Sequence, residues 1–357
     1  MTADTLGGVW PYAVNLCASM PETRFVIATM GPRPSDAQRA EIARLDNASL
    51  VESDYRLEWM AGADADFAAS RAWLVSEIAL HNVDLVHING YAHACLGIDC
   101  PVLVVAHSDV LSWWKAVHGC APPPEWDCYR DRVRAGLAAA AQVVAPTASI
   151  LCDLERHYLR LWEKADRIPN GVDLASFPSL PKRPVVMAAG RLWDAAKNLA
   201  ALDAVAADLA WPVEIAGTVE HPESGAARFA NARLLGMLPP VDMARRLASA
   251  SIFAAPARYE PFGLAILEAA AAGCALVLGD IASLRETWDG AAVFVDPSDP
   301  SALRCAIGTL IANAGERHRV AAAAQQRAQR FTLRRMAQSY ADLYREVARN
   351  CAYLEIA

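Results

Sequence analysis

Two glutamates stand eight residues apart in the run Arg258-Tyr259-Glu260-Pro261-Phe262-Gly263-Leu264-Ala265-Ile266-Leu267-Glu268. Between them Pro-Phe-Gly makes a stiff turn that opens into an alanine-rich stretch. The preceding Ser251–Ala255 reads as a buried strand, Gly273 as a helix stop, and Cys274–Leu278 as the next strand. Glu260 therefore belongs to a strand-to-helix loop, and Glu268 lies two turns into the helix behind it. The start of that helix offers backbone N–H groups from Phe262, Gly263 and Leu264. Those donors, with the roughly half positive charge of the helix dipole, favour a phosphate. Carboxylates on either side would accept hydrogen bonds from hydroxyl-rich rings attached to it.

A second string, Ala189-Gly190-Arg191-Leu192-Trp193-Asp194-Ala195-Ala196-Lys197-Asn198-Leu199, follows another strand. It carries Arg191 and Lys197 six residues apart, two fixed cations that suit a diphosphate. Near the start, Asp4-Thr5-Leu6-Gly7-Gly8-Val9-Trp10 places two glycines in a loop where a backbone can approach a ligand closely. His107 comes directly after the apolar run Pro101–Ala106, at a strand end, where a neutral imidazole donates or accepts one hydrogen bond. His107-Ser108-Asp109 is not a hydrolase triad, because neighbours on one loop do not reach that geometry and no G-x-S-x-G elbow exists. His93, Cys95, Cys100 and His107 fit no zinc spacing. Asp64-Ala65-Asp66 sits at a helix start, where acids suit the dipole. Asn89-Gly90 and Asn170-Gly171 read as turns first, with Asn89 placed near the cleft where it could touch an acceptor; Gly236 reads as a turn that could border a nucleotide base; Trp113-Trp114 reads as packing or as a sugar-stacking surface.

The elements that must position these residues alternate between strand and helix along the whole chain, which predicts parallel α/β architecture. Strands are expected at Arg24–Met30, Asp84–Asn89, Pro101–Ala106 and Gln142–Pro146, with helices at Gly8–Ser19, Ala63–His81, Tyr129–Ala140 and Ala148–Tyr158. The proline- and turn-rich stretch from Ile168 to Pro184 reads as a linker. Beyond it, strands are expected at Val185–Ala189, Val213–Ala216, Ser251–Ala255, Ala275–Leu278 and Ala292–Val295, then an amphipathic helix at about Leu333–Arg349. This divides the chain into residues 1–167, 168–332 and 333–357: two Rossmann-like domains facing across a cleft, and a last helix. Only Met1, Thr2 and Ala3 precede the Gly7-Gly8 loop as strand formers, so the first strand is expected to be short.

The 357 residues are 54% hydrophobic and 20% charged, enough for two cores. A net charge of −7 lacks the basic footprint that nucleic acid demands. No apolar run approaches the ~20 residues that span a bilayer, and no leader pattern opens the chain. Nine cysteines without a C-x-x-C read as a reduced set, and a cytoplasmic location is expected.

The Glu260-to-Gly273 segment resembles the Glu-x7-Glu signature of retaining glycosyltransferases of family 4, which have the GT-B fold. The Gly190-Arg191-Leu192…Lys197-Asn198 string and the Gly7-Gly8 loop are similar to further motifs of that family. The resemblance implies a hexosyltransferase that uses a nucleoside diphosphate sugar as donor and a sugar, small-molecule or lipid hydroxyl as acceptor. It implies that Arg191, Lys197 and the amides of Phe262, Gly263 and Leu264 hold the diphosphate, with Gly7 and Gly8 close to the donor. Glu268 would bind the ribose, Glu260 the sugar hydroxyls, and His107 the sugar near the reacting carbon. No cofactor and no metal are implied, since fixed cations and the helix end take the metal's place. It also implies that the last helix returns to the first domain. A nucleotide-sugar-binding protein without transfer activity would share these motifs; a GT-B nucleotide-sugar epimerase is a further alternative, against which the family-4-like motif set argues. A dinucleotide oxidoreductase would need a G-x-G-x-x-G, which neither half opens with.

Overall fold

The computed structural model describes residues 1–161, 164–221 and 225–354. In chain order the first elements are β1 (Thr2–Asp4), α1 (Val9–Ala18), β2 (Phe25–Met30), α2 (Asp36–Ala43), β3 (Ala48–Glu52), α3 (Ala63–His81), β4 (Val86–Ile88), β5 (Val102–Val105), α4 (Val110–His118), α5 (Asp127–Ala139), β6 (Gln142–Ala145), α6 (Ala148–His157) and β7 (Ala165–Arg167). Then follow β8 (Arg183–Ala189), α7 (Leu199–Ala206), β9 (Val213–Ala216), β10 (Glu220–His221), β11 (Gly225–Ala226), β12 (Arg233–Gly236), α8 (Pro240–Ser249), β13 (Ala250–Ala255), α9 (Leu264–Ala271) and β14 (Ala275–Gly279). The last are α10 (Ala282–Trp288), β15 (Val293–Val295), α11 (Pro300–Ala312), α12 (Ala314–Ala328) and α13 (Leu333–Leu354). One compact unit holds residues 1–115, 120–169 and the chain from Leu333 on; the other holds 116–119 and 170–332.

In the first unit two parallel ladders form, β1-β2-β3 and β4-β5-β6-β7. β5 and, after half-buried Gln142, β6 are runs of valine and alanine with leucine, buried on both faces as parallel sheets require. β1 is three residues long, and all three pair with β2. Among the described residues, side chain and backbone of Asn89 join the two ladders where strand pairing stops. Its N–H donates to Thr2 Oγ1 at 2.9 Å, and its Nδ2 to the Thr2 carbonyl at 2.7 Å. The helix α13 lays Met336, Tyr340, Leu343 and Val347 into the core beside Tyr12, Leu16, Ile27 and Leu103. Those spacings of three and four put one apolar stripe against the sheet.

The second unit is one parallel sheet in the order β12-β9-β8-β13-β14-β15, with a small antiparallel hairpin from β10 and β11. The strands run outward from the middle in both directions, so the connections diverge between β8 and β13. At such a reversal the loops leaving the carboxyl ends separate, and ligands of open α/β sheets bind there. The loop after β8 is the Gly190–Asn198 string, and the loop after β13 carries Glu260. Phe253, Leu267, Leu276 and Trp288 fill the core beneath them.

Candidate functional site

The two loops of the second unit are tied together before any ligand is considered. The Ala196 carbonyl accepts from the backbone N–H of Arg258 at 2.8 Å and of Tyr259 at 3.4 Å. Asn198, in the left-handed region at φ 55°, donates from Nδ2 to the carbonyls of Pro256 and Pro297 at 2.9 and 2.8 Å. Asp194 is buried; one carboxylate oxygen accepts from Ala196 N–H at 3.0 Å and the other pairs with Arg191 Nη2 at 2.7 Å. Arg191 is thus held by its guanidinium group, whose carbon lies 5.2 Å from the Trp193 ring centroid. Behind this loop, Gly217 comes so close that a Cβ there would stand 1.8 Å from the Gly190 carbonyl oxygen.

Lys197 and Glu260, expected to grip different parts of one ligand, are paired with each other. Lys197 Nζ lies 2.6 Å from Glu260 Oε2, with both side chains less than a fifth exposed. Ser283 Oγ fixes the Glu260 backbone through a 2.6 Å bond to its carbonyl. The chain then turns through Gly263 at φ 85°, where a Cβ would meet Ile266 Cδ1 at 2.7 Å, and enters α9. Among the described residues, the N–H groups of Phe262, Gly263 and Leu264 have no partner inside the protein. Phe262 is buried as a whole, its ring edge-on to Phe331. The carboxylate of half-buried Glu268, in the second turn of α9, accepts no hydrogen bond among the described residues, and burial pushes it up to about 7. The arrangement offers one arginine, one shared lysine, three backbone donors and two carboxylate acceptors at a single strand-order reversal.

In the first unit, His107 follows β5 and is held by neighbours that its own sequence context did not name. Its Nε2 lies 2.8 Å from Asn89 Oδ1, and its ring is edge-on to Tyr12 with centroids 4.6 Å apart. The same Asn89 oxygen lies 3.0 Å from His87 Nε2, and His87 Nδ1 lies 2.6 Å from the Tyr344 hydroxyl on α13. Burial lowers His107 to about 4 and His87 well below its usual value, so both rings are neutral near pH 7. Gly7 takes φ 73° and exposed Gly8 caps α1, which leaves the loop's backbone open at the end of β1. A cavity of about 50 Å³ lies by the carboxyl ends of β1, β2 and β4, lined by Asp4, Glu58, Trp59, Asn89 and His93 among others. Glu58 accepts from the N–H groups of Tyr91 at 3.1 Å and Ala92 at 2.8 Å, yet burial still raises its carboxyl.

Two sequence expectations resolve differently, at Asn89 and at Gly236, and the other residues singled out there take structural partners. Asn89 is a hydrogen-bond hub rather than a plain turn residue. Arg233–Gly236 is an edge strand, not a turn, and the Gly236 carbonyl accepts from Gly217 N–H at 2.8 Å. His93 pairs with Ser70 Oγ at 2.8 Å while His107 turns to Asn89, so the two do not converge. Asp64 and Asp66 are bound to Arg132 and Arg56. Trp114 lies tilted against Trp126, and Trp126 edge-on to Tyr129, an aromatic packing layer. Asp194 and Asn198 were the missed residues, together with the hydrogen-bonding role of Asn89. Their types, short amides and acids just after strands, were the one available signal.

Two parallel Rossmann-like halves carrying these loops define the class: the chain is a glycosyltransferase with the GT-B fold. The family model described as "Glycosyltransferase Family 4" matches residues 6–176, and "Glycosyl transferases group 1" matches 183–313. D-inositol 3-phosphate glycosyltransferase of Xylanimonas cellulosilytica is 29% identical over 60% of this chain and 58% of its own length. Alpha-maltose-1-phosphate synthase of Mycolicibacterium smegmatis is 27% identical over 70% of this chain and 73% of that protein. The chain thus spans from under two thirds to about three quarters of these relatives. Among solved structures, sucrose-phosphate synthase from Thermosynechococcus elongatus superposes with a TM-score of 0.79 at 18% identity, covering 97% of this chain and 94% of that one. Anabaena HepE, solved in complex with UDP-glucose, gives 0.76 at 17% identity over 97% and 100% of the two chains.

Proposed function

We propose that this glycosyltransferase moves a hexose, with retention of configuration, from a nucleoside diphosphate sugar to a hydroxyl acceptor. The observation that carries the reading is the convergence, at the β8/β13 reversal, of Arg191, Lys197 and the partnerless amides of Phe262, Gly263 and Leu264. That set matches a diphosphate in charge and in donor count. The HepE complex with UDP-glucose supports a nucleotide-sugar donor. In this reading the diphosphate draws Lys197 away from sole pairing with Glu260, and Glu260 turns its acceptor capacity to sugar hydroxyls. Glu268 accepts from the ribose. His107 contacts the sugar near the reacting carbon, and Gly7 and Gly8 let backbone amides approach.

As the bond to the leaving phosphate breaks, negative charge grows on the diphosphate. Arg191, Lys197 and the α9 amides are fixed in advance to meet it, which lowers the barrier without reorganisation. The same fixed charges are why the reaction is proposed to run without a metal. The acceptor hydroxyl attacks the face from which the nucleotide leaves, so no side chain is assigned as covalent nucleophile.

The test is transfer from a panel of nucleoside diphosphate sugars to hydroxyl acceptors, read by mass spectrometry with and without a chelator, beside calorimetric binding of the nucleoside diphosphates. Removing a charged donor costs about 1.5–3 kcal/mol, so Lys197→Ala is expected to weaken diphosphate binding by about ten- to a hundredfold. Unchanged binding would remove the diphosphate assignment. Tight binding with no turnover on any acceptor would make the chain a binding protein, and an altered free donor would make it an epimerase.

A further inference from the structure

We propose that Asn89 is a positioning residue that fixes the His107 ring as its Nε2–H tautomer and so leaves Nδ1 as an acceptor for a hydroxyl of the donor sugar. The argument rests on which atoms can donate. The Thr2 carbonyl only accepts, and it lies 2.7 Å from one end of the Asn89 carboxamide. That end is the NH₂ group, so the oxygen is the end that faces the two imidazoles. A carboxamide oxygen also only accepts. The ring nitrogens beside it, His107 Nε2 at 2.8 Å and His87 Nε2 at 3.0 Å, must each carry a hydrogen.

The remaining nitrogens follow. With Nε2 protonated in a neutral ring, Nδ1 of each histidine is bare. The Tyr344 hydroxyl, 2.6 Å from His87 Nδ1, therefore donates to it, which locks His87 from the far side. His107 Nδ1 has no donor among the described residues. Burial of both rings favours the neutral forms on which this assignment depends. The edge-on Tyr12 ring, 71° from the imidazole plane, holds His107 in orientation.

The chain Tyr344–His87–Asn89–His107 thus runs from α13 to the end of β5 within the first unit. It converts a histidine that could donate or accept into one that accepts. In the proposed reaction, on which this inference rests, the sugar must then present a hydroxyl donor to His107 rather than a lone pair.

The test uses the full chain with ¹⁵N-labelled histidine and long-range proton–nitrogen correlation, His107 being assigned by the peaks lost in His107→Gln. Wild type is expected to show His107 with hydrogen on Nε2. Asn89→Leu removes the acceptor and is expected to shift His107 towards the other tautomer. In steady-state transfer, Asn89→Leu is expected to lower kcat about ten- to a hundredfold, with KM for the donor within about threefold. A wild-type His107 protonated on Nδ1 overturns the proposal, as does an Asn89→Leu variant with unaltered tautomer and kcat. The wild-type spectrum needs neither turnover nor the leucine variant to fold. A chain that transfers nothing yet shows the Nε2–H form would sink the transferase reading and leave the Asn89 assignment standing.

Discussion

Glu268 offers a prediction whose size follows from its surroundings. Burial raises its carboxyl from 4.5 to about 7, and no donor among the described residues offsets that. Between those two values the folded protein holds a proton that the unfolded chain has released. Stability therefore falls as pH rises through that interval, and the full deficit is present above it. The gap corresponds to about 3 kcal/mol as an upper figure. Glu268→Gln keeps the size and removes the charge. It is expected to raise stability by as much as about 3 kcal/mol at pH 8 and to make no difference at pH 4. For a unit of this size that is a rise of about 5–10 °C in melting temperature at the higher pH. The assay is thermal unfolding of both proteins across the range, with Glu260→Gln as a control whose carboxylate already has Lys197. Ribose hydroxyls would favour the ionised carboxylate, so nucleotide binding near pH 6–7 should release part of a proton, read by calorimetry in buffers of different ionisation enthalpy. Superposable melting curves for wild type and Glu268→Gln at every pH would refute the reasoning, because they would mean the carboxylate stays hydrated.

Three further outcomes are expected. Gly217→Ala places a methyl 1.8 Å from the Gly190 oxygen; chemical denaturation should show a loss of about 3 kcal/mol as the β8 loop is forced aside. Asn198→Ala removes two bonds and puts a Cβ residue without a compensating amide at φ 55°; a loss of about 2–4 kcal/mol and weaker diphosphate binding should appear together, since this amide holds the Lys197 loop to its neighbours. Tyr340→Ala opens a cavity where α13 meets the first core, and about 3–5 kcal/mol of stability should go with it in the same denaturation assay.

The segment from β13 to β14 was readable from sequence because everything that shapes it is local. An apolar run, a Pro-Phe-Gly turn and a helix stop at Gly273 fix strand, loop and helix within about thirty residues. The helix at Ala63–His81 was readable to its ends for a similar reason, with acids in its first turn and a left-handed Asn82 at its close. Elements whose environment is uneven escaped. β3 is only half-buried, and β12 is a mostly exposed edge strand, so neither shows an apolar run. α2 was missed although Ser35 and Gln38 form a capping box, a signal that was there to be used. The Lys197–Glu260 pair joins residues 63 apart, and the Asn89–Thr2 bonds join residues 87 apart. Such partners emerge only when the sheet order is known, since nothing local prefers them.

The helix α13 carries one more consequence. Its stripe of Met336, Tyr340, Leu343 and Val347 belongs to a core whose members outside the helix, from Ala3 to Ile168, were synthesised about 170 to 340 residues earlier. On the ribosome the middle of the chain can therefore finish folding while the amino-terminal half still waits for its final wall. That half remains the more exposed to aggregation and proteolysis until the last turns emerge. The Tyr344 hydroxyl arrives with them, so the histidine at the end of β5 is among the last side chains to be set.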